Sequence, residues 1–145
     1  MSGPERIVAE ARAWIGTPYV HQASVRGAGS DCLGLIRGVW RAVIGPEPEV
    51  APAYTPDWAE ARGGEVLMAA ALRWLRPLGA GRPGDGEVIV FRMREGSVAK
   101  HLGIASRGGA AFIHAYSGHG VVESPLSAPW QRRVAAQFAF PEIEL

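Results

Sequence analysis

The sequence predicts an α+β fold, and three observations carry that prediction. Helical periodicity is confined to the first half of the chain, and strand-like alternation begins only after Pro83-Gly84-Asp85-Gly86. No βαβ alternation mixes the two, so helices should pack on a small antiparallel sheet. The size of 145 residues and 15.4 kDa sets one domain over 1–145 as the expectation.

The first element is a helix over about Pro4–Ile15, with Ser2 as N-cap and Ile7, Val8, Ala11, Trp14 and Ile15 as its apolar stripe. Gly16 and Pro18 stop it, and Thr17–Ser30 reads as loop. A second helix starts at Asp31 or Cys32 and runs to Gly45-Pro46. Its Gly34 and Gly38 each cost roughly 1 kcal/mol against alanine, which implies another backbone packed close. Glu47–Pro56 reads as extended. Asp57 is a cap for a third helical region that resumes after Gly63-Gly64 and runs to about Arg76. Strands follow at Val88–Met93, His101–Ser106, Ala110–Tyr116, Val121–Glu123 and Val134–Phe140.

Composition excludes several function classes. Lys+Arg 15 against Asp+Glu 14 leaves a formal charge of +1, without the basic footprint of a nucleic-acid or anionic-membrane binder. The longest apolar run, Val66–Leu72, is far short of the ~18 residues that span a bilayer. Pro4, Glu5 and Glu10 stand where a signal peptide needs an apolar centre, so the expectation is a chain made in the cytoplasm without a secretion signal. Cys32 is the single cysteine, so there is no internal disulfide, and the residue is either buried filler or a nucleophile.

Cys32 begins a helix, where free N–H groups and the macrodipole bias a thiol towards thiolate. Asp31 is placed to satisfy other N–H groups of that turn, and the Cys32 N–H to face an oxyanion. His101 shares a strand face with Gly103 and Ala105, which leaves space beside it. A two-residue turn at Arg107-Gly108 predicts that Ala105 faces Ala110, Gly103 faces Phe112, and His101 faces His114. His101 would then be the base and His114 the group that orients it. Two alternatives stay open: partly exposed histidines on a polar face, and a three-ligand zinc site of Cys32, His101 and His114. His21 and His119 read as surface loop residues for which the sequence identifies no partner. Tyr19 is either core or projects into the same cleft, and Trp130 is a candidate groove liner. Asp85 reads as a turn residue.

Gly16-Thr17-Pro18-Tyr19, Asp31-Cys32-Leu33-Gly34-Leu35-Ile36, Pro83-Gly84-Asp85, Lys100-His101-Leu102-Gly103-Ile104 and Ile113-His114-Ala115 resemble, in this order, the motifs of the NlpC family of cell-wall cysteine peptidases. Leu33, Arg37-Gly38-Val39-Trp40 and Val121-Val122-Glu123-Ser124 are most similar to the branch found in tailed phages and gene-transfer particles. The resemblance implies a papain-like fold, Cys32 as nucleophile, His101 as base and later acid, and His114 as the orienting residue. It further implies Tyr19 near the oxyanion and substrate, and Asp31 shaping substrate binding. The implied substrate is the peptidoglycan stem peptide, cut between γ-D-glutamate and a diamino acid, with no cofactor. Phage-like tail hub or tip proteins are the implied partners, and the place of action is the periplasmic cell wall. An amidase or acyltransferase on the same scaffold, or a structural tail-hub subunit, are the competing expectations. Where many members carry serine after the nucleophile, this chain has Leu33, which removes a hydroxyl from the substrate side.

Overall fold

The computed structural model describes residues 2–48, 66–94, 96–97 and 99–141. Six strands form one antiparallel sheet in the order β3-β8-β4-β5-β6-β7: β3 Arg76–Leu78, β4 Val88–Phe91, β5 His101–Ser106, β6 Ala111–Tyr116, β7 Gly120–Pro125 and β8 Val134–Ala139. A separate two-stranded ladder pairs β1 (Ser24–Val25) with β2 (Gly29–Ser30). Among the described residues the α-helices are α1 Gly3–Ala13, α2 Cys32–Val39, α3 Val66–Trp74 and the short α4 Ala128–Gln131. Among the described residues no helix is long and apolar enough to cross a membrane.

Helix α1 begins where expected, its Ser2 hydroxyl accepting from Glu5 N–H at 3.2 Å. Ile7, Val8, Ala11 and Trp14 are buried as its stripe predicts, whereas Ile15 lies beyond the helix and is 44% exposed. Helix α2 continues into a π-helical turn over Trp40–Ile44 and stops at Gly45, whose φ is 151°. The two interior glycines of α2 serve different neighbours. A Cβ at Gly34 would collide with the Ala23 carbonyl oxygen, which is the backbone approach expected, but one at Gly38 would meet the Trp14 ring instead. The third helix ends at Trp74, and the chain turns at once into edge strand β3. The expected helix to Arg76 is therefore short by a strand, one that accommodates Pro77 because its outer side needs no ladder donor. The expected cap Asp57, with Trp58, lies outside the described residues.

The sheet buries both faces. Helices α1 and α2 cover Val88, Val90, Leu102, Ile104, Ile113, Ala115 and Phe138, while Ile89, Phe91, Ala105, Phe112 and Leu126 form a second cluster capped by Trp130 and Val134. This explains why β4 reads as a continuous apolar run instead of an alternating one.

Candidate active site

The site grows from the N-terminus of α2. Asp31 caps the helix, Oδ1 accepting from Gly34 N–H at 2.7 Å and Oδ2 from Gln22 N–H at 2.8 Å. Ser30 pairs with Tyr19 in an isolated parallel bridge, so the segment Pro18–Ser30, expected to be loop, is laced back onto itself through β1 and β2. The clamp has a fixed distance from the helix, because Gly34 lets the Ala23 carbonyl approach closely. Cys32 is thereby held half-buried at the start of α2.

The Cys32 thiol donates to the Lys100 carbonyl at 3.9 Å, and the Leu102 N–H also points at the sulfur. The sulfur therefore lies against the strand on both sides of His101. Burial, followed by the nearby Asp31 carboxylate, pushes the Cys32 thiol up to about 12, against the backbone N–H groups of Leu102, Leu33 and Cys32 that favour its anion. The expected thiolate bias is corrected here: desolvation outweighs the helix N-terminus, and the resting sulfur is a thiol. Tyr19 is also raised to about 12, by burial and then by the charges of Cys32 and Asp31.

The histidines come together across β5 and β6. His101 Nε2 and His114 Nδ1 are 2.8 Å apart, with the rings edge to face. The register that brings them there differs from expectation. Ala105 faces Phe112 and Ser106 faces Ala111, so the connection is the four-residue Arg107–Ala110, with a 3-10 turn over Arg107–Gly109. Arg107, Gly108 and Gly109 all take positive φ, which a two-residue turn centred on Arg107-Gly108 does not use. The displacement is two residues, an even number, so both histidines keep the same face. They meet on the diagonal instead of directly opposite.

His114 has a second partner: its Nε2 lies 2.9 Å from the Ser124 hydroxyl on β7. The pair is enclosed by aromatic rings. Trp130 has ring centroids 5.7 Å from His101 and 5.2 Å from His114, while Phe91 and Phe112 pack beneath at 5.7 Å and 4.1 Å respectively. Burial, then His114 and Arg133, pull His101 down to about 3; burial, then His119, pulls His114 down to about 4. Both rings are neutral near pH 7.

The structure thus groups Tyr19, Asp31 and Cys32, groups His101 with His114, and sets the sulfur against the peptide flanking His101. Asp31 is 2% exposed and bonds backbone N–H groups, so its work in this fold is to hold the helix start. Asp85 accepts from Gly108 N–H at 2.8 Å, a turn role. His21 and His119 lie in turns at the surface, and the fold supplies neighbours that the sequence does not identify: His21 lies 3.9 Å from Asp31, and His119 stacks on Tyr116. Among the described residues no group of three or more His, Cys, Asp or Glu is placed to hold a metal ion. Sequence reasoning assigned Ser124 no role, although strand alternation puts it on the face of His114. Trp130, a candidate groove liner in the sequence, packs its ring against both imidazoles.

No family model matches the sequence. The chain is 29% identical over 129 residues to the murein DD-endopeptidase MepS/murein LD-carboxypeptidase of Escherichia coli, covering 88% of this chain and 58% of that protein. Among solved structures it is similar to the NlpC/p60 domain of the peptidoglycan hydrolase SagA, with TM-score 0.63, 23% identity, and coverage of 94% of this chain and 97% of that one. It is also similar to NlpC1 from Trichomonas vaginalis, with TM-score 0.66, 18% identity, and coverage of 96% and 44%. An NlpC/P60 family protein from Bacillus cereus gives TM-score 0.66 at 15% identity, covering 94% of this chain and 40% of that one. With helices carrying the cysteine on one side of an antiparallel sheet and the histidines on its strands, the fold of this chain is that of the NlpC/p60 domains.

Proposed function

We propose that the chain is a cysteine peptidase that hydrolyses stem-peptide amide bonds of peptidoglycan. The observation that carries this reading is the Cys32 sulfur lying against the peptide on both sides of His101, whose far nitrogen is tied to His114. His101 takes the thiol proton, and the sulfur adds to the amide carbonyl carbon. The Cys32 N–H, together with the Tyr19 phenol, stabilises the oxyanion. Collapse breaks the C–N bond, and the amine leaves with the proton from the His101 imidazolium. Water, deprotonated by His101, then hydrolyses the thioester and regenerates the thiol. The neutral thiol–imidazole resting state means that the ion pair forms as substrate fills the cleft.

For the bond, the reading takes the γ-D-glutamyl–diamino acid linkage, supported by the motif resemblance. The similar protein from Escherichia coli is named for DD-endopeptidase and LD-carboxypeptidase activity, so those two bonds are the outcomes to separate from it. For the setting, the reading takes a phage-like tail acting on the periplasmic wall, supported by Leu33 and the Arg37-Gly38-Val39-Trp40 and Val121–Ser124 segments. Digestion of defined muropeptides by wild type and Cys32→Ala, read by product mass, tests nucleophile, substrate and bond together. Cleavage by wild type and none by Cys32→Ala is expected. Equal cleavage by both overturns the nucleophile, and intact muropeptides with wild type overturn the activity.

A further inference from the structure

We infer that Ser124 is a positioning residue that decides which nitrogen of His101 carries the proton; the inference rests on the reading of His101 as the base. Three polar side chains on one sheet face form a line across β5, β6 and β7: His101 Nε2 to His114 Nδ1 at 2.8 Å, and His114 Nε2 to Ser124 Oγ at 2.9 Å. The imidazoles are 7% and 1% exposed, so each nitrogen in this line depends on its protein partner.

Only two proton arrangements satisfy the line with neutral rings. In the first, His114 Nε2–H donates to Ser124 Oγ, His101 Nε2–H donates to His114 Nδ1, and His101 Nδ1 keeps a lone pair able to accept the thiol proton. In the second, the Ser124 hydroxyl donates to His114 Nε2, His114 Nδ1–H donates to His101 Nε2, and His101 Nδ1 is already protonated and useless as a base. Catalysis requires the first, with Ser124 Oγ as terminal acceptor. Its half-exposed position on edge strand β7 lets the hydroxyl hydrogen turn to solvent while a lone pair receives His114. Losing that acceptor strands a buried N–H, and moving the His114 proton to Nδ1 relieves it by imposing the second arrangement. The charged and titratable groups near the line are Arg133, whose guanidinium lies over the Trp130 ring, His119 from the β6–β7 turn, and Tyr116, whose ring centroid is 5.9 Å from His101 and 5.4 Å from His114.

The test combines nitrogen-15 NMR of the histidine side chains with steady-state kinetics on a muropeptide. Wild type is expected to show both His101 and His114 protonated on Nε2. Ser124→Ala is expected to shift His101 towards the Nδ1–H form and to lower kcat about tenfold or more with KM unchanged, the order of one lost hydrogen bond. Ser124→Thr, which keeps the hydroxyl, is expected to restore both. Wild type with His101 protonated on Nδ1 overturns the inference even if Ser124→Ala does not fold. So does a folded Ser124→Ala with an unchanged spectrum and kcat. The NMR result stands apart from cleavage, so wild type inactive on every muropeptide sinks the peptidase reading while the tautomer still decides the role of Ser124.

Discussion

His101 and His114 meet on the diagonal of the sheet, and continuing the β5–β6 register puts Gly103, not His101, directly across from His114. The imidazole of His101 reaches sideways over the strand because nothing stands between. A Cβ at Gly103 would lie 3.5 Å from the His114 Cβ and 2.7 Å from Phe112 Cδ2.

Gly103→Ala is therefore expected to damage both the core and the histidine line. Phe112 is fully buried against Phe91 and Trp130 and has no room to retreat. The loss of stability should be about 1–3 kcal/mol, the usual range for overpacking. Denaturant unfolding measures it, and a variant as stable as wild type would show that the second cluster is looser than its contacts imply.

The thiol should be slow to alkylate. With Cys32 raised to about 12 by burial and Asp31, the resting protein at pH 7 holds almost no thiolate, and its rate with iodoacetamide should fall below that of a free thiol and climb through the alkaline range. A rate already at its plateau near pH 7 would mean that a thiolate–imidazolium pair exists without substrate.

Stability should fall with acid. His101 and His114 are pulled below their unfolded value near 6.5, to about 3 and about 4, so between those pH values the unfolded chain binds more protons than the folded one. Stability then rises with pH across that window and is lost as the pH drops through it. Glu47 and Glu123 add in the same direction: burial opposes their ionisation, but Arg37 with Arg41, and Arg12 with Ser106, outweigh it and hold both carboxyls below their ordinary value. Chemical denaturation between pH 7 and pH 3.5 reads the slope. In a Phe-substituted control, His114→Phe, part of that slope should vanish; an unchanged slope would assign the acid sensitivity to the carboxylates.

Much of the site was legible because local rules govern it. Asp31 before an apolar helix reads as a cap, and the period of β5 and β6 puts both histidines on one face whatever the even slip in register. The turn differs from the two-residue expectation, since Arg107 adopts φ 54° beside two glycines and no local preference distinguishes a two-residue from a four-residue connection there. Strand β3 was missed for a similar reason: three residues containing Pro77 carry no strand pattern until β8 lies beside them.

The chain's order of residues determined the helix-then-sheet division, the cysteine at a helix start and the shared face of the histidines, because hydrophobic period and capping act over a few residues. Tertiary structure alone decided the protonation state of the sulfur, the aromatic cover of Trp130 over the imidazoles and the third link at Ser124. Desolvation and hydrogen bonding depend on which distant segments close over a group, and those distances exist only once the sheet has folded.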